Sequence, residues 1–297
     1  LNCIRVYTDL VPDIPLPFFE GLVDYLGSAL SVPVSLHVGR SAENGHDVPD
    51  PFSSGQADIG FLRSPCFLDW WGRRQAVTVL PVAPVFRDPR AQGQPVYYAE
   101  VVVRGSHPAQ SFWDLRGCIW GYSSPDSLSS HVSVLKKLGE LGEDERFFRS
   151  HQCSGSHRDS LRLLRAGEVD AVAVDSNVLI LARRRNPELR HDLRILESWG
   201  PLPIQPVVAS PALAPEMQQQ IVRHLCRMGD LPVGRELLDD LWMSGFASTE
   251  ATPYQELQRA HFGLDKDGEA PVATVRGNGN NGKGPASRLR YFLNSLF

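Results

Sequence analysis

The chain has 297 residues, 42% of them hydrophobic and 22% charged, which suits a globular α/β protein of one large domain or two lobes, each able to bury its own core. A net charge of −4 gives nucleic acid no electrostatic footprint, although a few N–H groups and one arginine can still build a local anion site. No run reaches the ~18 consecutive apolar residues of a membrane span.

No charged segment leads into an apolar one at the start, so any secretory signal has been removed or was never present. Leu1-Asn2-Cys3 has the look of a lipoprotein cleavage site. Cys3 nevertheless runs straight into Ile4-Arg5-Val6-Tyr7, and a buried strand cysteine is the expectation. The cysteines at 3, 66, 118, 153 and 226 are odd in number and lack C-x-x-C spacing, which argues against a zinc site or a disulfide framework. No cofactor motif stands out. Free thiols fit an intracellular location better than an oxidising one, an expectation that stands against export.

Strand and helix patterns alternate along the chain. Residues 3–8 read as a strand and residues 15–30 as a helix, with Phe18, Phe19, Leu22, Val23, Leu26 and Leu30 on one face. A strand follows at 33–38, and Gly55-Gln56-Ala57-Asp58-Ile59-Gly60-Phe61-Leu62 runs into another. Such alternation gives βαβ units and a mostly parallel sheet. A second unit starts with a long strand at 95–104, and Trp113-Asp114-Leu115-Arg116-Gly117 leads into a strand at 118–122. The loop 123–130 feeds a helix with the stripe Leu128, Val132, Leu135 and Leu138. A helix at 157–166 stops at Gly167, a strand covers 169–174 and another 205–210, and Pro215 opens a further helix. Residues 277–284 have linker composition, and 286–297 form an apolar tail that reads equally as a docking helix or a frayed end. There is no internal repeat.

Three segments carry candidate chemistry. Gly121-Tyr122-Ser123-Ser124-Pro125-Asp126-Ser127-Leu128-Ser129-Ser130 is a strand, a hydroxyl-rich loop and a helix start. Unpaired N–H groups and the positive dipole end of such a start suit a tetrahedral anion; plain capping by Asp126 or Ser127 is the simpler alternative. In Ser154-Gly155-Ser156-His157, His157 can donate to an anion, although a histidine near a cap is commonly structural. In Val169-Asp170-Ala171-Val172-Ala173-Val174-Asp175, Asp175 falls where the strand ends. Ligands of open α/β sheets bind at carboxyl ends of strands, which also points Thr8, Asp9 and Arg63 at a cleft.

Taken in order, Gly55–Leu62, Tyr97-Tyr98-Ala99-Glu100-Val101-Val102-Val103, Trp113–Gly117, Ser127–Ser130, Gly155-Ser156-His157, Gly167-Glu168-Val169-Asp170-Ala171 and Gly245-Phe246 with Tyr254 resemble the phosphonate-binding periplasmic proteins of ABC importers over about residues 3–262. The resemblance implies an α/β, two-lobed type II periplasmic-binding fold with a ligand cleft between lobes, and a solute-binding, non-catalytic role towards a phosphonate, phosphite or phosphate. It implies that the family's oxyanion-holding turn falls on Ser127, Leu128, Ser129 and Ser130, its cleft tyrosine on Tyr97 and its cleft histidine on His157. Leu128 replaces a threonine and Ser130 a glycine. The acidic residue that pairs with the amine of aminophosphonates corresponds to neutral Gln205 in Pro201-Leu202-Pro203-Ile204-Gln205-Pro206, leaving Asp9 or Asp175 as substitutes.

The expected lobes are 1–95 with 200–264, and 96–199, joined by hinge strands near 95–104 and 195–206, with 265–297 as linker and tail. Ser127, Ser129 and His157 would come from lobe two, and Arg63 and Thr8 from lobe one. Expected partners are the oxyanion and, in a periplasmic or extracytoplasmic setting, the membrane subunits of an importer; the protein is expected to be a monomer without cofactor or metal. Two alternatives stay open: an orphan sensing or scaffold domain of the same fold in an intracellular setting, and an enzyme on this fold. No Ser-His-Asp arrangement can be read from spacing alone.

Overall fold

A computed structural model describes residues 3–10, 14–39 and 50–262. Its strands are β1 (Ile4–Thr8), β2 (Val34–Val38), β3 (Ile59–Phe61), β4 (Thr78–Val79), β5 (Val82–Phe86) and β6 (Val96–Arg104). They continue as β7 (Ile119–Tyr122), β8 (Ser150–Cys153), β9 (Ala171–Asp175), β10 (Leu193–Pro203), β11 (Val207–Ala209) and β12 (Met243–Ser248). The helices are α1 (Leu16–Leu30), α2 (Ser64–Phe67), α3 (Ser133–Glu140), α4 (His157–Ala166) and α5 (Ser176–Arg185). After them come α6 (Leu189–Asp192), α7 (Pro215–Cys226), α8 (Pro232–Asp240) and α9 (Thr252–Phe262).

One five-stranded sheet has the order β2-β1-β3-β11-β4 and a second the order β10-β6-β9-β7-β8, while β5 and β12 pair separately. In the first sheet β1, β2 and β3 are parallel and β11 opposes β3. In the second, β7, β8 and β9 are parallel, and β6 opposes β9. All five residues of β9 are buried, as expected of a strand covered by helices on both faces.

Helix α1 forms because its apolar residues recur on one face and Pro15 sits just before its first turn, where a missing N–H costs nothing. It buries Phe18, Phe19, Leu22, Val23, Tyr25 and Leu26 in the core of the first sheet. The second sheet has a core on each face. Val101, Val103, Phe112, Trp120 and Phe147 fill one, and Val102, Leu161, Leu164, Val172 and Val174 the other. Within Val101–Val103, alternate residues therefore serve opposite cores, the period-two rule of a strand.

The two sheets are joined where β6 and β10 run antiparallel, from Leu193 opposite Arg104 to Pro203 opposite Val96. The chain leaves the first sheet before β6 and returns to it at β11, just after β10. Cys3 departs from expectation: it precedes β1 and is half-buried, with its thiol 3.6 Å from Ser35 Oγ. The expected linker and tail lie outside the described residues.

Candidate functional site

The carboxyl ends of the parallel strands in both sheets meet at a cavity of about 400 Å³. Asp9 and Leu10 reach it just after β1, Arg63 and Ser64 after β3, Ser123, Ser124 and Ser127 to Ser129 after β7, Gly155 to Arg158 after β8, and Asp175 at the end of β9. Tyr97 arrives from the start of β6 and Gln205 from just before β11, because those strands run the opposite way. The strand-end rule thus accounts for these placements.

On the second-sheet side, Ser127 is the N-cap of the helical stretch leading into α3, its Oγ accepting the N–H of Ser130 at 3.2 Å. The first turn is π-helical: Val132 N–H reaches Ser127 O, five residues back, at 3.0 Å. A helix start supplies no partner from within the helix for the N–H groups of Leu128 and Ser129, the two residues of that turn lining the cavity. Ser129 is buried and donates its hydroxyl proton to Asp175 Oδ1. His157, the first residue of α4, brings Nε2 to 3.3 Å from the same oxygen.

Gly155 makes this second helix start reachable. Its φ of +85° turns the chain so that Ser156 Oγ accepts the N–H of Asp159 at 3.0 Å and caps α4. Tyr97 is fully buried, and burial, then the nearby Asp175, pushes its hydroxyl well above the usual tyrosine range. It stays neutral and able to donate at any ordinary pH.

On the first-sheet side, buried Asp9 accepts the backbone N–H of Arg63 at 3.0 and 3.2 Å and its Nε at 3.1 Å. Gln205 donates from Nε2 to Ser64 Oγ at 2.8 Å. Leu10, Ile14 and Pro15 complete this wall with apolar surface.

Eight of the ten residues expected at the site line the cavity: Arg63, Tyr97, Ser127, Leu128, Ser129, His157, Asp175 and Gln205. Two do not. Thr8 is buried beneath it, and its Oγ1 accepts the N–H of Leu10 at 3.0 Å, a bond that supports Leu10 at a φ of 55°. Ser130 is fully buried, with Oγ 3.1 Å from Ser123 N and 2.8 Å from Ser123 Oγ, so its hydroxyl pins the loop. Both miss the cavity because their side chains are used up locally. Leu10, Ile14 and Pro15 escaped sequence reasoning, which sought polar groups at strand ends; their one signal was proximity to the end of β1.

The family described as "ABC transporter, phosphonate, periplasmic substrate-binding protein" matches residues 16–254. The chain belongs to that family. Membership makes it a substrate-binding transport component and gives no support to the orphan sensing domain or to the intracellular location weighed from the cysteines.

The two-lobed fold is shared with solved structures. A binding protein component of an ABC phosphonate transporter from Pseudomonas aeruginosa superposes with a TM-score of 0.70 at 15% identity, covering 99% of this chain and 95% of its own. PhnD1 from Prochlorococcus marinus, solved in complex with methylphosphonate, gives 0.68 at 16% identity, with 87% and 96% covered. XAC2383 from Xanthomonas citri, solved bound to ATP, gives 0.64 at 15% identity, with 87% and 95% covered. Comparison with curated protein sequences gives no significant match.

Proposed function

We propose that the cavity holds a phosphorus oxyanion at the Ser127–Ser129 turn and that the protein delivers it to the membrane subunits of an importer. One observation carries this reading: two helix starts, at Ser127 and Ser156, open into the same cavity and bring Ser127, Ser129 and His157 together beside Tyr97. Free N–H groups, hydroxyls and a helix dipole are donors suited to a tetrahedral anion.

In this reading lobe one is 1–95 with 200–264 and lobe two is 96–199. Hinge motion at the paired strands β6 and β10 closes the lobes on the ligand, which both then touch. The protein acts as a monomer in the periplasm or another extracytoplasmic space and leaves its ligand chemically unchanged.

A thermal-shift panel of phosphate, phosphite, sulfate, methylphosphonate and longer alkylphosphonates tests the reading. A ligand at about 100 times its dissociation constant adds about 2.7 kcal/mol of stability. Phosphorus NMR of the incubated ligand should return the unaltered compound. A panel in which no phosphorus oxyanion raises the melting temperature defeats the proposal.

A further inference from the structure

The oxyanion turn uses only the second-sheet side of the cavity. The opposite wall has its own chemistry. Asp9 is almost completely buried, with a side chain 1% exposed, whereas that of Arg63 is 31% exposed. The carboxylate accepts from the backbone N–H and from Nε of Arg63, and from the Cys66 thiol. The two Nη groups make no hydrogen bond to a described residue. The Nε bond therefore fixes one edge of the guanidinium and leaves the other, a planar fork suited to a carboxylate or phosphate, to the cavity that Arg63 lines.

Asp126 adds a carboxylate that acts on the Arg63 charge, while its own hydrogen bond comes from Ser124 Oγ. The thiol of Cys66, next to Asp9, is pushed up to about 12 by burial and the neighbouring carboxylate, so it is neutral. Leu10, Ile14 and Pro15 flank the pair with apolar surface. A bare oxyanion has nothing to lay against such a wall. A volume of about 400 Å³ also falls in the range filled by organic ligands of drug size rather than by a few-atom anion.

Resting on the oxyanion site argued above, we propose that the ligand is an organophosphonate whose aliphatic substituent ends in a second anionic group, in its simplest form a carboxylate, received by the Nη edge of Arg63. The phosphonate sits at the Ser127–Ser129 turn, the aliphatic part lies against Leu10, Ile14 and Pro15, and Asp9 is a positioning residue that aims the arginine.

Calorimetry with phosphonoacetate, 3-phosphonopropionate and 4-phosphonobutyrate, each against an uncharged alkylphosphonate of equal length, tests this. At the best-fitting length the carboxylated compound should bind the wild type at least about ten-fold more tightly, the gain of one hydrogen-bonded charge pair. Arg63→Gln keeps donors without the charge, and the ratio measured within that variant should fall to near one. Should the variant fail to fold, the wild-type series decides alone. Equal binding of charged and uncharged partners at every length overturns the second anion site and leaves the oxyanion site standing. Failure of every phosphonate, carboxylated or not, and of inorganic phosphate and phosphite overturns both.

Discussion

Ser129 and Asp175, 46 residues apart in sequence, are joined by a hydrogen bond from the serine hydroxyl to Oδ1, and His157 Nε2 stands 3.3 Å from that oxygen. A carboxylate thus sits at the edge of a site built for an anion. It can only accept, so a ligand beside it is best satisfied when it brings a proton of its own. A phosphonate monoanion has a P–OH group to offer; sulfate has none. The expected outcome is a preference for methylphosphonate over sulfate of about 10–100-fold, at a pH where the phosphonate keeps one proton. Asp175→Asn, whose amide can donate, should shrink that margin by raising sulfate affinity. Competition calorimetry reads both, and equal wild-type affinities would remove Asp175 from selection.

Neighbouring serines separate into different roles. Ser129→Ala should cost about 1.5–3 kcal/mol of oxyanion affinity, because it takes from the Asp175 carboxylate the hydroxyl that it accepts and leaves that charge less satisfied beside the anion. Ser127→Ala should cost affinity and also about 0.5–2 kcal/mol of stability, since Ser127 caps the helix start. Ser130→Ala should leave affinity nearly unchanged and lower stability by about 1–3 kcal/mol, because the buried Ser123 N–H loses its acceptor. Paired calorimetry and urea unfolding distinguish the three. A large affinity loss in Ser130→Ala with normal stability would contradict the assignment.

The cysteines give a prediction independent of any ligand. The thiolate is the reactive form, and burial holds Cys66 as a thiol until about pH 12. A raised thiol pKa means that its neutral form persists well above the ordinary value, so reactivity appears only as pH climbs through the folded value or when the protein unfolds. Exposed Cys153 and Cys226 should react with a thiol reagent at pH 8, and Cys66 only after urea is added. Mass spectrometry of the labelled peptides checks the order. Rapid labelling of Cys66 in the folded protein would mean that the Asp9 region opens readily.

Local periodicity made much of this architecture legible. Helices α1 and α4 and strands β1, β2 and β6 follow from apolar spacing, a proline before the first turn and a glycine after the last. β8, the polar edge strand Ser-His-Gln-Cys, was legible only as a strand-like region before Ser154, and the pair β5–β12, interrupted by Pro84 and Gly245, was not. The cavity's polar half could be read from hydroxyls and a histidine next to strand ends. Its other half could not, because the aim of Arg63 depends on Asp9, 54 residues earlier, and an apolar residue after a strand looks the same whether it faces a ligand or a core.

The last prediction concerns amines. Gln205 lines the cavity and spends its amide donor on Ser64, so it offers an ammonium at most one carbonyl oxygen and no counter-charge. Asp9 is occupied by Arg63, and Asp175 already accepts from Ser129. An ammonium brought into the closed cleft would thus lose its hydration, at a cost of several kcal/mol, without a free carboxylate to replace it. Its positive charge would also face the Arg63 fork. Methylphosphonate, phosphite and phosphate should therefore bind more tightly than 2-aminoethylphosphonate. Gln205→Asp, which supplies a carboxylate at a position that already reaches the cavity, should narrow or reverse that order. Competition calorimetry on the wild type and the variant measures it directly. A wild-type preference for the aminophosphonate would mean that Asp175 releases Ser129 and takes the amine instead, and Asp175→Asn would then abolish the preference.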